Sequence, residues 1–380
     1  MAASDALTAQ GMATRHRRSV KAVVQGVGRI NALLARMIKN GQVKWNGHGD
    51  SFDWYIRRLD NTASWNSGQL GTRKFEELDP IDKATLDYCF LDQTYGVSEK
   101  SLKTNRAVGP DKIYDIQKEN ARVAQSALYR AIVDAIYSNS DGSVANGPAG
   151  LRTITCDCIS TADVCVSAST AMSYAGITYF TSTGVATAWY DRNHASFPFT
   201  HKYWAPVTQD AHTVPGLTTP KWSTMAIRIL NWTTTYMKRT IDVSGTGRPV
   251  MPDMALMEDD AWNALWALLI AAKLTAGPIQ LGAKDLADVG ITNVQVGPLT
   301  CVYDENVPKD INATPEPQVF VIDSKAFVLE TLNTKSEGLV EGEWKVKDPT
   351  ITGGVGVYKS NMGLRIDAPC SAAVITGCND

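Results

Sequence analysis

Residues 110–137 read PDKIYDIQKENARVAQSALYRAIVDAIY, and the rest of the chain is best understood outward from them. Pro110 suits a first helical position, where its missing N–H is no loss, and Asp111 complements the helix dipole. Ile113, Ile116, Val123, Ala127, Ala131 and Ala135 mark one stripe, with Leu128, Ile132 and Ile136 beside it. The pattern stops at Ser138-Asn139-Ser140-Asp141-Gly142, a run that breaks helices. Asp111 to Tyr137 as one helix is about 40 Å long at 1.5 Å per residue. A compact chain of this length has a radius of gyration of about 21 Å. One helix therefore spans nearly the whole molecule, as a spine.

On its N-terminal side, Val43-Lys44-Trp45, Phe52 to Arg57 and Leu86 to Phe90 have aromatic-rich strand character, and turn clusters lie between them. Asn66-Ser67-Gly68 and Leu70-Gly71-Thr72 suit the tip of a long hairpin. A pair of strands alone is marginal in water, so this one needs a surface to lie on, which points to another subunit. Trp45, Trp54 and Trp65 all fall in the hairpin, and large aromatics are favoured anchors between proteins. Packing within the subunit is the plainer reading for each Trp taken alone. Further upstream, Val20, Val23, Val24, Val27, Ile30, Leu34, Met37 and Ile38 recur at helical spacing, interrupted by Gly26 and Gly28. Arg15, Arg17, Arg18, Lys21, Arg29 and Arg36 supply positive charge there, and Asp5 is the only acid before residue 50. Phosphate contact and docking onto a neighbour both fit; so does an ordinary helix with a solvated face.

On the C-terminal side, residues 151–215 are rich in Thr, Ser and Ala, with strand character at Ile177 to Phe180 and Ala188 to Tyr190. Trp222, Met225, Ile229, Trp232 and Tyr236 predict a helix over Lys221 to Lys238. Another follows Met257-Glu258-Asp259-Asp260, whose acids suit a helix start. Short strands come next: Val294 to Val296, Leu299 to Tyr303, Val319 to Ile322, Ala326 to Leu329, Glu343 to Lys347, Val355 to Tyr358, Leu364 to Ile366 and Ala372 to Ile375.

The chemistry-bearing residues nominate no active site. His194 and His201 lack a metal-binding frame, and Cys156, Cys158 and Cys165 lack four-ligand zinc spacing. Gly245-Thr246-Gly247-Arg248 and Gly353-Gly354-Val355-Gly356 lack the downstream glycine and helix of a dinucleotide fingerprint. There is no phosphate loop and no Gly-x-Ser-x-Gly elbow. Catalytic, cofactor-binding and metal-ligating residues are therefore all expected to be none. Seven irregularly spaced cysteines read as reduced thiols rather than a disulfide scaffold. With 37 Lys and Arg against 39 Asp and Glu, the net charge of −2 excludes a globally basic nucleic-acid binder, though not a local patch. The most apolar run, Ala261 to Leu274, is too short to span a bilayer and contains Asn263 and Lys273, so no membrane role is expected.

In their order, these features resemble the major capsid proteins of tailed bacteriophages, with the Hong Kong 97-like fold. The resemblance places an N-terminal arm at 1–42, an extended loop hairpin at 43–105, and a peripheral domain with the spine helix at 106–155. A mainly axial domain then occupies 156–300, and 301–380 returns to the peripheral domain. Gly150 to Ile154 resembles the family's turn into its next strand, and Met251 to Met257 its strand-to-helix step in the axial domain. Val319 to Asp323 and Gly363 to Pro369 resemble its late strands.

The resemblance implies an α+β structural protein whose copies form pentamers and hexamers of an icosahedral shell around packaged double-stranded DNA, without catalysis. Its expected partners are copies of itself, a portal, separate scaffolding or decoration proteins, and DNA through non-specific contacts. Its expected place is the virion, with assembly in the host cytoplasm. The arm cations named above become candidate DNA or neighbour contacts. Trp45, Trp54, Trp65, Arg73, Lys74 and Phe75 become candidate inter-subunit hairpin contacts. Some relatives join subunits through Lys–Asn isopeptide bonds; Lys74 is the nominee here, and an ordinary surface lysine is the plainer reading. Two alternatives remain: an encapsulin-like nanocompartment shell and an unrecognised α+β enzyme.

Overall fold

A computed structural model describes residues 31–57, 81–98, 110–138, 147–155, 172–175, 177–180, 207–210, 221–238, 250–276, 293–309, 315–334, 341–345, 353–367 and 371–378. The chain opens with α1 (Ala32–Lys39), β1 (Val43–Lys44), β2 (Ser51–Arg57), β3 (Ile81–Asp87) and β4 (Cys89–Ser98). Next come α2 (Pro110–Ile136), the expected spine, then α3 (Leu151–Thr155), β5 (Met172–Tyr174), β6 (Ile177–Phe180) and β7 (Val207–Asp210). They are followed by α4 (Trp222–Lys238), β8 (Met254–Met257), α5 (Asp259–Ala276), β9 (Asn293–Val296), β10 (Leu299–Tyr303) and β11 (Val319–Ile322). The last strands are β12 (Phe327–Thr331), β13 (Glu341–Lys345), β14 (Gly353–Ile366) and β15 (Ala372–Thr376).

Two sheets organise these elements. The first is ordered β1-β12-β14-β13, and β4 pairs with β14 as well. The second is ordered β7-β15-β11-β8-β10-β9. The strands β8, β11 and β15 of the second sheet are buried on both faces, which explains why they read as apolar runs rather than alternating ones. Met254 and Leu256 of β8, with Phe320 and Ile322 of β11, face one core. Their neighbours Ala255, Met257, Val319 and Val321 face the other. That other core is closed by α4 through Trp222, Ile229 and Leu230, and by α5 through Trp262, Leu265 and Leu269. Full burial of a side chain such as Phe320, at 0% exposed, contributes about 1.5–3 kcal/mol.

The spine connects the two sheets. Its C-terminal half sends Ile132, Val133, Ile136 and Tyr137 into the first core, beside Leu33 and Leu34 of α1 and Leu151 and Ile154 of α3. Along its length it lies on the first sheet: Asn120 Nδ2 donates to the Gly96 carbonyl at 3.0 Å, and Gln125 Nε2 to the Tyr358 hydroxyl at 3.2 Å. Tyr95 and Tyr358 stack beneath it, ring centroids 5.4 Å apart. Gly356, paired with Tyr95 across the strands, admits that ring because any Cβ there would overlap it.

Several local expectations change. Leu86 to Phe90 is not one strand: the chain turns at Tyr88, so β3 stays in the hairpin while β4 enters the first sheet. Tyr88 is buried, and its amide donates to the Asp50 carbonyl at 3.0 Å. Val355 to Tyr358 and Leu364 to Ile366 belong to a single 14-residue strand, β14, continuous because β4 and β12 pair with successive parts of it. The strand at Glu343 to Lys347 runs instead from Glu341 to Lys345. Gly150 to Ile154, which the resemblance made a turn into a strand, leads instead into a short helix over Leu151 to Thr155. The strands of 301–380 are divided between both sheets, with β11 and β15 in the second, and the domain boundaries stay an expectation. Ala188 to Tyr190 lies outside the described residues.

Candidate functional site

The β2–β3 ribbon pairs Ser51 with Asp87 through to Arg57 with Ile81. Alternation divides it into two faces. Phe52 and Trp54 of β2, with Ala84 and Leu86 of β3, point inward and are buried; Tyr55, at 71% exposed, points outward. Lys83 and Asp53 form an ion pair of 2.7 Å on the outward face. The hydrogen bond and charge of Asp53 raise the Lys83 pKa.

The inward face is rooted on the first sheet. Phe52 lies against Gly363 of β14, where a Cβ would overlap its ring. Phe52 also stacks on Trp54 at 6.0 Å and packs against Tyr88 at 5.0 Å. Two residues along, the Arg365 guanidinium sits 5.4 Å from the Trp54 ring centroid, a cation–π geometry. Arg365 is itself held on both sides, by Glu330 at 2.8 Å and Asp367 at 2.9 Å. Arg365 and Glu330 are each less than a tenth exposed. Lys44 of β1 reaches the same Glu330 carboxylate at 3.3 Å. Burial, seconded by the Glu330 charge, pushes the Tyr88 hydroxyl pKa upward.

Of the candidate hairpin contacts, Trp54 is 7% exposed and packed within the chain, and Trp45 is partly buried against the first core. Trp65, Arg73, Lys74 and Phe75 lie outside the described residues. Of the arm cations, only Arg36 is described. It is mostly buried and pairs with Asp253 at 3.3 Å, which also accepts hydrogen bonds from the Ser324 amide and hydroxyl at 2.7 Å each. Arg15, Arg17, Arg18, Lys21 and Arg29 fall outside the described residues, so their contacts remain an expectation.

Sequence reading missed Phe52, Gly363, Glu330 and Arg365 as the hairpin's root. A signal was present for one of them: Arg365 interrupts an apolar run between Leu364 and Ile366. A charge in the middle of a buried strand is a request for a partner. Also missed was Phe90, 54% exposed on the face of β4 that turns away from the buried Tyr95.

Among the described residues, no group of three or more His, Cys, Asp or Glu is placed to hold a metal ion. No described helix is long and apolar enough to cross a membrane.

No family model matches the sequence, and no curated protein aligns with it. Solved structures do match. The cyanophage A-1(L) capsid asymmetric unit superposes with a TM-score of 0.60 at 14% identity, covering 89% of this chain and 91% of that one. The capsid of cyanophage P-SCSP1u gives 0.47 at 14% identity, over 89% and 86% of the two chains. A virus-like particle from Pyrococcus furiosus gives 0.45 at 11%, over 93% and 96%. At those TM-scores the last two add nothing to the assignment, and the first, at its low identity, speaks to fold alone. The α+β chain has the tailed-phage major capsid protein fold, the Hong Kong 97-like one that the order of its elements resembles.

Proposed function

We infer that the chain is a structural shell subunit, a major capsid protein with no catalytic role. Its copies form pentamers and hexamers that close an icosahedral shell around packaged double-stranded DNA in the virion, after assembly in the host cytoplasm. The observation that carries this reading is the β2–β3 ribbon on a capsid-type fold. One face is rooted in its own subunit by Phe52 and Trp54, and the other presents Tyr55 to whatever lies beyond. A ribbon of two strands gains little stability alone, so a neighbouring copy supplies what its outer face lacks. The basic N-terminal residues then serve as contacts to DNA or to a neighbour. A portal and separate scaffolding or decoration proteins complete the set of partners.

The test is to express the chain and measure particle mass by sedimentation, with electron microscopy of the heaviest fraction. Closed shells of hundreds of subunits are expected. A monomer or dimer at every concentration, alone and with neighbouring structural proteins co-expressed, overturns the reading. Shells that hold a folded enzyme rather than nuclease-protected DNA identify a nanocompartment instead.

A further inference from the structure

Where the ribbon meets the sheet, the two contacts have a geometry of their own. Phe52 and Trp54 are successive same-face residues of β2, and Gly363 and Arg365 are successive same-face residues of β14. Phe52 meets Gly363, and Trp54 meets Arg365. Like neighbours on one face of a strand are about 7 Å apart. Two contacts that far apart define a line, and a line fixes the direction in which the ribbon leaves the sheet. Without the second, the ribbon would keep Phe52 as its one anchor of these two on the sheet, with the Thr85 amide of β3 still bonded to the Ala175 carbonyl at 3.1 Å.

The two contacts differ in kind. Phe52 on Gly363 is a fit of shapes, a ring in the space a side chain would fill. Trp54 under Arg365 is electrostatic, and its cation is pinned: Nη1 donates to Glu330 at 2.8 Å and Nε to Asp367 at 3.1 Å. Glu330 pairs with Gly363 across the strands, diagonal to Arg365 on the same face. Lys44 approaches Glu330 from β1, so the charge cluster draws together β1, β12, β14 and the ribbon. A buried ion pair of this sort is weak evidence of stability, because desolvation offsets much of the attraction. Its use is better sought in geometry.

We propose that Arg365 is a positioning residue for assembly: through Trp54 it fixes the angle of the ribbon and hence the place on a neighbouring copy that the ribbon reaches. The proposal rests on the shell-subunit reading for its consequence, though not for the clamp itself. The lever is long enough to matter. Arg57 lies about 17 Å along the strand from Phe52, so a swing of about 10° there displaces it by about 3 Å. That is the difference between a made and a lost contact. Subunits with a free ribbon then meet their neighbours at varied angles and close shells of varied curvature.

Arg365→Met would leave the buried Glu330 carboxylate with Lys44 as its one remaining described cation and endanger the fold. The informative variants are therefore Trp54→Leu, which leaves the ion pairs intact, and Arg365→Lys, which keeps the charge but loses the planar fork. Trp54→Phe restores an aromatic face and serves as the rescue. Hydrogen exchange on the unassembled chain reads the clamp directly. Trp54→Leu and Arg365→Lys should speed exchange of the β2 and β3 amides at least tenfold, with β8, β11 and β15 unchanged, and Trp54→Phe should return it to within about threefold of native. Shell diameters, measured by electron microscopy on equal amounts of folded protein, should spread at least twofold more widely in the first two variants and not in the third.

Native-like exchange of β2 and β3 in Trp54→Leu removes the clamp, whatever assembly does. Faster exchange with a native distribution of diameters overturns the positioning role. If the unsubstituted chain forms no shells, the shell-subunit reading fails on its own account, and the exchange arm still decides whether the clamp exists.

Discussion

Asp304 is 3% exposed, and its hydrogen-bond donors among the described residues are all neutral. One oxygen accepts from the Tyr137 hydroxyl at 2.7 Å and the Asn31 amide at 3.2 Å; the other accepts from the Asn306 backbone and side-chain nitrogens at 3.0 and 2.9 Å. These donors come from the start of α1, the end of the spine and the loop after β10, so one carboxylate ties the second sheet to the elements that cover it. Tyr137→Phe removes one of the bonds and leaves the others, and should destabilise the chain by about 1–2 kcal/mol. Asp304→Ala orphans the buried phenol and amide together, and should cost about 3 kcal/mol or more. Denaturant midpoints of the two variants check this order; equal midpoints would contradict it. Burial also pushes the Tyr137 hydroxyl well above its ordinary range, and the Cys301 thiol up to about 12 from 9.0. Both groups are neutral when protonated, and the unfolded chain loses their protons first. Stability should therefore be level up to about pH 9, then fall towards pH 12, each group removing at most about 1.4 kcal/mol per pH unit. Midpoints measured from pH 7 to 11 test this, and Cys301→Ala should flatten the portion between 9 and 10.

At the scale of elements, the legible parts of the fold are those whose signal is local. The spine was readable because its apolar residues keep a helical period for 27 residues, and the structure places the helix from Pro110 to Ile136. The run Val319–Ile322 was readable as a strand, because four successive apolar residues suit a short buried strand, whereas Met254–Met257 was reached only through the resemblance. Pairing was not readable. Nothing local says that Val43 lies parallel to Leu329, or that β14 runs unbroken through Met362 where two partner strands change over. Tyr88 illustrates the same limit: its aromatic ring suggests a strand interior, while the backbone bends there to pass from the ribbon to the first sheet. The root of the ribbon was hidden for a related reason, since Phe52 and Gly363 are 311 positions apart and meet only in three dimensions. This separation of ribbon from sheet leads to an element-scale prediction. Replacing residues 58–80 by a two-residue Asn-Gly turn joins β2 to β3 with a turn suited to a hairpin. Neither core loses a described side chain, so the melting temperature should change by no more than a few degrees. On the shell-subunit reading assembly should be lost, because the segment proposed to contact a neighbouring copy is gone. Shells of native size from the shortened chain would show that the ribbon's reach is dispensable.

At the scale of the whole molecule, charge is distributed unevenly although the total is nearly zero. Residues 1–40 hold Arg15, Arg17, Arg18, Lys21, Arg29, Arg36 and Lys39 against Asp5 alone, a net of +6, so the remaining residues carry −8 to reach the total of −2. A body of that sign does not attract DNA, and a long-range attraction has to come from the N-terminal residues. Arg36 is already engaged with Asp253, which removes it from the cations free to act outside the subunit. α1 is held by Asn31, whose side-chain oxygen caps it at Leu34 and whose amide reaches Asp304, so the chain before it starts from a fixed point. Replacing Arg15, Arg17, Arg18 and Lys21 with neutral residues should therefore leave folding and empty-shell assembly intact, since the described cores and the ribbon's root involve none of them. DNA retention should fall. If all four contact phosphates, the dependence of DNA release on the logarithm of salt concentration should lose about 3 to 4 units of slope, at about 0.9 per contact. Empty shells that form normally but hold DNA with an unchanged salt dependence would assign these cations to a neighbouring subunit instead. Shells that fail to form would point the same way, because contact with DNA is not needed to close an empty shell.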